Sequence, residues 1–315
     1  MTDTNGIPPD VEKQVQELRN WINRQPHLPK DLEDKLLHRF LHSCYYDMEK
    51  TKKTVELFFS IRTNAPELMQ HRDPLKQPMQ TALKIVNLAQ YVVPGNRSIW
   101  IWQLNDPGLD NYDYTQDARM FFLSADAWLL DNIHLADEDV IVMDVKDISM
   151  KMLTKVNLSV ARKLSKYQEE AMPLRLKQIH VINAPPVIDK VYALLKPILK
   201  QEIIDMVHFH PPTSETLYDF ISKEDLPVDY GGQLPSMAHY MDYTTKIILE
   251  KRVRSAYPSI VVVGEFLTVR IALETSLSRC RTFFGNSRIC IDFSGKLCKV
   301  CSMLYATVKN TDRIV

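Results

Sequence analysis

Few residues in this chain have the type and spacing to do chemistry. His208 and His210 stand two apart, so on a strand both rings project from one face. Such a pair is part of a metal site or, with no third ligand close by in the sequence, two hydrogen-bonded imidazoles at a strand end. Cys298 and Cys301 have the spacing of half a zinc knuckle, but the other pair, Cys280 and Cys290, is separated by nine residues rather than two. Asp137-Glu138-Asp139 reads as a solvated turn before a strand, with no separate partner for acid–base work. The chain holds only 8 glycines and lacks the G-x-G-x-x-G and G-x-x-x-x-G-K-[ST] phosphate loops, the G-x-S-x-G nucleophile elbow and the H-E-x-x-H zinc motif. It is therefore expected to be no enzyme and to need neither metal nor cofactor.

What the chain has in excess is soft and apolar. Met143, Met150, Met152 and Met172 lie close to apolar segments, with Phe121, Phe122 and Trp128 upstream. Flexible thioethers and large aromatics suit a cavity that adapts to a greasy ligand, and they equally suit plain core packing.

The elements that would position these residues change character along the chain. Val11, Val15, Leu18 and Ile22 recur at helical spacing. A second helix is predicted from a cap at Asp31, with Leu32, Leu36, Phe40 and Leu41 on one face, and a third from a cap at Asp47 to before Ala65-Pro66. Past a connector at 71–80, β-rich runs at 98–104, 140–145, 178–183 and 206–210 alternate with helical stretches near 115–131, 159–170 and 187–204. That alternation predicts an α/β fold with a mostly parallel sheet. The runs at 140–145 and 178–183 are apolar nearly throughout, as strands covered on both faces are. The stretch 187–204 is an amphipathic helix that Pro197 should kink.

Lysine plus arginine and aspartate plus glutamate number 39 each, so global charge gives no argument for nucleic acid. No run of about 18 uncharged apolar residues is present, as a membrane span would need. Cys44 is the only cysteine before position 280, which excludes a disulfide framework for the main fold and predicts a cytoplasmic setting. Residues 253–315 differ in kind: 9 basic and 4 acidic residues, against 30 and 35 before them, and four of the five cysteines. This tail is expected to be foreign to the fold, as a translated intron would be.

Arg39-Phe-Leu41, Tyr46-Asp47, Arg62 and Pro66-Glu67-Leu68, followed by Ile179-His-Val-Ile-Asn183, Lys196-Pro197, His208-Phe-His210 and Leu226-Pro-x-Asp-Tyr-Gly-Gly232, stand in the order and spacing of one family. Over residues 10–250 the chain resembles the CRAL-TRIO family, in the insect-type branch of its tocopherol and retinaldehyde carriers. The resemblance implies a helical N-terminal domain at 1–75, a CRAL-TRIO lipid-binding domain with a lid helix at 76–250, and an atypical tail at 251–315. It implies an apolar ligand lined by Phe121, Phe122, Ala125, Met143, Leu164, Tyr167, Leu174, Leu176 and Ile179, with Ile188, Val191 and Leu195 from the lid. Phe121 and Ala125 stand where the tocopherol carrier has serines, so an isoprenoid, a retinoid or another lipid is implied as readily as tocopherol. A phosphoinositide site is implied in reduced form at Arg175, Lys177 and Lys200, because four further basic positions fall on Glu202, Met206, His42 and Cys44. The partners expected are thus a hydrophobic small molecule and a membrane surface, visited transiently.

Overall fold

A computed structural model of the chain describes residues 7–131 and 134–253. The four tail cysteines, and the readings made of the tail beyond residue 253, lie outside the described residues.

The apolar stripe Val11, Val15, Leu18 and Ile22 is buried along helix α1 (Pro9–Arg24). Helix α2 (Asp34–Ser43) starts later than the expected cap at Asp31, and Glu33 is its N-cap. The reason is local: Leu32 is drawn into the core, and its carbonyl accepts a hydrogen bond from the Arg19 guanidinium at 2.6 Å. Helix α3 (Met48–Thr63) is capped by Asp47, whose carboxylate accepts the Lys50 N–H at 3.0 Å. Short helices α4 (Pro66–Met69) and α5 (Met79–Ile85) flank the connector.

Leu18, Phe40, Phe58 and Leu68 from these helices share one buried cluster with Phe122, Ala125, Val160 and Tyr167 from later in the chain. A polar clamp crosses the same contact. Arg62 donates to Asp126 and to the Tyr167 hydroxyl, each at 2.5 Å, and Arg72 donates to the other Asp126 oxygen at 2.9 Å. Buried charge of this kind is tolerable only when paired and hydrogen-bonded.

Five strands follow: β1 (Val86–Val93), β2 (Arg97–Leu104), β3 (Glu138–Asp144), β4 (Leu176–Ile182) and β5 (Val207–Phe209). They lie side by side in that order. The β1–β2 pair is antiparallel and the other pairs are parallel. The expected runs became β2 to β5; β1 is an addition, joined to β2 by Pro94-Gly95-Asn96, where Gly95 and Asn96 take positive φ. Helices α6 (Tyr114–Asp131), α7 (Met152–Lys155) and α8 (Leu158–Glu170) make the crossovers that parallel neighbours require. The stretch expected as one kinked helix is broken: α9 (Ile188–Leu195), a 3-10 turn at Lys196–Ile198, then α10 (Gln201–Ile204). Pro197 lacks the N–H that would continue the ladder. Helix α11 (Met237–Val253) returns over β1, where the Met241 sulfur accepts the Leu88 N–H.

The two faces of this sheet differ. On the back, Ile99, Ile101, Val140 and Val142 are no more than 2% exposed, covered by Leu217, Ile221, Leu226 and Met237. On the front, the register sets Trp100 beside Ile141 and Ile141 beside Ile179, with Trp102 beside Met143. All five are only half-buried. Ile141 and Ile179, in mid-sheet, join none of the three apolar clusters of the fold. The expectation that both faces of β3 and β4 are covered is therefore corrected: only the back is filled. Front-side apolar side chains of α5, α6, α9 and α11 gather with Val86, Leu88, Leu104, Val145 and Val181, and so leave the middle of that face unfilled.

Candidate functional site

The front face is the floor of the candidate site. Strand alternation aims Trp100, Trp102, Ile141, Met143 and Ile179 the same way. An apolar side chain left accessible on an interior strand forgoes the transfer free energy that burial would give. The same strands bury Ile99, Ile101, Val140 and Val142 of their back face almost completely, so the accessibility is a property of what faces the floor. Of the expected lining residues, Met143 and Ile179 lie in this floor. Leu176 opens β4 and is half-buried. Ile188 and Val191 of α9 are buried, and Leu195 packs beside them against the cluster that also takes Trp102 and Met143. Phe121, Leu164 and Leu174 are half-buried and pack against the other cluster, as Trp100 also does.

Three expected lining residues are placed elsewhere. Phe122, Ala125 and Tyr167 are 0% exposed and pack among Phe40, Phe58 and Phe59 of the N-terminal helices. The Phe122 and Tyr167 rings lie 4.5 Å apart, and the Tyr167 hydroxyl is taken by Arg62. Helix α6 carries two apolar sides: Met120, Ala127 and Trp128 join the cluster of the sheet's front, while Ala118, Phe122 and Ala125 join that of the helices. These three residues build the wall from behind and offer no accessible surface to a ligand. Conversely, Trp100, Trp102 and Ile141 were absent from the expected set. Their same-face alternation was the available signal, but only the pairing register shows which face is open.

Two polar positions border the floor, each fixed by a tryptophan. The Trp100 indole donates to Asp139 at 2.8 Å, and the Arg175 N–H donates to the second oxygen at 2.8 Å. Burial raises the Asp139 pKa, opposed by these donors and by the charge of Arg39. Arg39, His42, Gln90, Ser98, Trp100 and Arg175 belong to one cleft here. The Trp102 indole donates to Asp117 at 3.1 Å, and the Tyr112 hydroxyl donates to its other oxygen at 2.8 Å. Burial pushes the Asp117 carboxyl up to about 6, against those two hydrogen bonds.

The expected phosphoinositide residues are partly gathered. The Arg175 guanidinium lies 4.3 Å from the exposed Tyr45 ring, with the Lys177 and Lys50 ammoniums at 5.5 and 5.7 Å. Lys200 is instead paired with Glu170 at 3.0 Å. His42 is held down to about 4 by burial and by Arg175, so it adds no charge near pH 7, and Cys44 is buried.

His208 and His210 have a third neighbour, His180, which is fully buried on the back face. The His180 Nδ1 and His210 Nε2 are 3.0 Å apart, His210 Nδ1 is 2.8 Å from Thr216 Oγ1, and the His180 and His208 rings stack at 5.2 Å. His180 is held down to about 3 by burial and by His210. The rings are thus engaged with each other and with Thr216, and among the described residues no group of three or more ligands is arranged for a metal. No helix of the described residues is long and apolar enough to cross a membrane.

Comparison with known proteins places this geometry in a family. Residues 7–79 match the family model described as Pinta-like, UBA domain, and residues 94–232 match the CRAL/TRIO domain. The human protein named Alpha-tocopherol transfer protein-like is 24% identical over 221 residues, which is 70% of this chain and 65% of that protein. The chain thus spans just under two thirds of that relative's length. Human Clavesin-2 is 22% identical over 240 residues, 74% of this chain and 72% of that one. Among solved structures, the crystal structure of Sfh5 aligns at 14% identity and a TM-score of 0.47 over 79% of this chain and 99% of that chain. The CRAL/TRIO match takes in β2 to β5 and the segment that covers the back of the sheet, so residues 94–232 form a CRAL-TRIO domain, preceded by helices that match a Pinta-like one.

Proposed function

We propose that the chain binds one apolar lipid on the front face of its sheet and carries it between membranes, with α9, the 3-10 turn and α10 as a lid. The observation that carries this reading is the half-buried floor of Trp100, Trp102, Ile141, Met143 and Ile179 on one face of the sheet, and Phe121, Leu164, Leu174 and Leu195, half-buried too, are proposed as its walls. Leu176 extends the floor, and Ile188 and Val191 anchor the lid. Burial returns about 0.8 kcal/mol per methylene, so a C20 chain gains on the order of 10 kcal/mol before ordering costs. No bond is broken, and no residue is assigned a catalytic role.

An isoprenoid, a retinoid or a related lipid suits the site as well as tocopherol does, whose carrier has a serine where the half-buried Phe121 stands. The break at Pro197 supports lid movement, since the two short helices share no continuous hydrogen-bond ladder. Arg175, Lys177 and Lys50 around Tyr45 favour docking to an anionic headgroup, a weakened phosphoinositide contact to which Lys200 contributes when it leaves Glu170. The test is transfer of a fluorescent isoprenoid lipid between donor and acceptor vesicles. The carrier reading expects transfer that rises in proportion to added protein. Vesicle binding without transfer contradicts it and points to a membrane-sensing module.

A further inference from the structure

The Asp117 carboxylate is costly where it stands. Among the described residues it forms no ion pair, and the charge of Asp113, of the same sign, raises its pKa further. Its hydrogen-bond partners, Trp102 and Tyr112, are neutral. A buried carboxylate without a counter-charge is normally removed or neutralised. Asp139, at the other floor tryptophan, makes the contrast: its charge is met by Arg39 and by the Arg175 N–H.

Asp117 is half-buried rather than closed off, so part of the residue stays accessible. It sits in the first turn of α6, bonded to Trp102, which is next to Met143 in the floor. Each carboxylate oxygen accepts one hydrogen bond from the protein and retains a lone pair for another. An acceptor with spare capacity, beside an apolar surface, selects a ligand that brings one donor and a long apolar body.

Resting on the cargo reading above, we propose that the bound lipid is an alcohol whose hydroxyl donates to Asp117. Such a site gives nothing to an ether, an ester or a hydrocarbon, which have no donor. It rejects a carboxylic acid, whose ionised head meets a like charge.

The experiment is equilibrium binding to the full chain, read by tryptophan quenching, with four probes of one skeleton: geranylgeraniol, its methyl ether, its aldehyde and its acid. A hydrogen bond to a charged acceptor is expected to make the alcohol about tenfold tighter than the ether, with the acid weakest. That preference should shrink in Asp117→Asn and vanish in Asp117→Leu, while ether affinity stays within about twofold. Equal binding of alcohol and ether by the unsubstituted chain overturns the Asp117 assignment and leaves the cargo reading standing; this comparison needs no variant to fold. A preference that survives Asp117→Leu also overturns it. If no probe binds and no lipid is captured from an extract, the cargo reading itself fails, and this inference with it.

Discussion

The two faces of strands β2 to β4 carry similar side chains and meet different neighbours. On the back, Ile99, Ile101, Val140 and Val142 are closed in by Leu217, Ile221 and Leu226. On the front, Trp100, Ile141 and Ile179 come from the same strands, and Ile141 and Ile179 have no cluster to join. The lesson is that residue type does not distinguish a core from a ligand floor. What distinguishes them is whether a later segment of chain arrives to cover the face. The segment holding Leu217 to Leu226 does so for the back, and the front-side helices leave the middle of their face open.

The contrast is broken most forcefully by truncation. Ile101→Ala on the back is expected to cost about 2–4 kcal/mol by urea denaturation, as a cavity in a closed core does. Ile179→Ala on the front should cost less, about 1–2 kcal/mol, because part of the side chain stays accessible and no apolar cluster closes around it. Equal costs would mean that the front is an ordinary core.

Enlargement sharpens the same point. Val142→Phe should overpack the back and cost about 1–3 kcal/mol. Ile141→Phe should leave stability nearly unchanged and reduce lipid uptake, since it fills the space the ligand would use. Paired melts and vesicle-extraction assays on the two variants check this.

Acid should weaken the back face first. His180 is held at about 3 and His210 is also lowered by burial, both below the ordinary value of 6.5, so the folded state resists protonation. Their contribution is present above about pH 6.5 and is lost as pH falls below it toward 3. Asp117 works the other way, because its raised carboxyl takes up a proton in the folded state between about 6 and 4. Stability should therefore drop between pH 7.5 and 5 by on the order of 1 kcal/mol, and the slope should flatten in His180→Gln. An unchanged slope in that variant would remove the histidine cluster as the cause. The smallest effect belongs to the exposed Lys200–Glu170 pair, where Lys200→Ala should cost about 0.5 kcal/mol or less and should speed lipid release if the pair holds the lid.

Much of this architecture was legible in the residues. The β-branched runs became β3 and β4, and the stripe Val11 to Ile22 became the buried side of α1. Strand β1 escaped notice because it mixes Asn87 and Gln90 into its apolar residues, although Pro94-Gly95-Asn96 marked its turn. The third histidine was invisible because His180 and His210 are thirty positions apart and meet only through the β4–β5 pairing. Phe122, Ala125 and Tyr167 were expected to line the ligand, but which sides of α6 and α8 meet the N-terminal helices is decided by packing across the fold. Pattern reading fixes what a side chain is and its local period, while the neighbour that fills or spares its face comes from distant chain.

The most direct test of the open front face is native mass spectrometry of the chain after incubation with a membrane lipid extract. The account predicts one bound lipid per folded chain, and loss of that bound mass in Ile141→Trp at unchanged fold. A folded protein that captures no lipid, or an Ile141→Trp variant that captures as much as the unsubstituted chain, would contradict it.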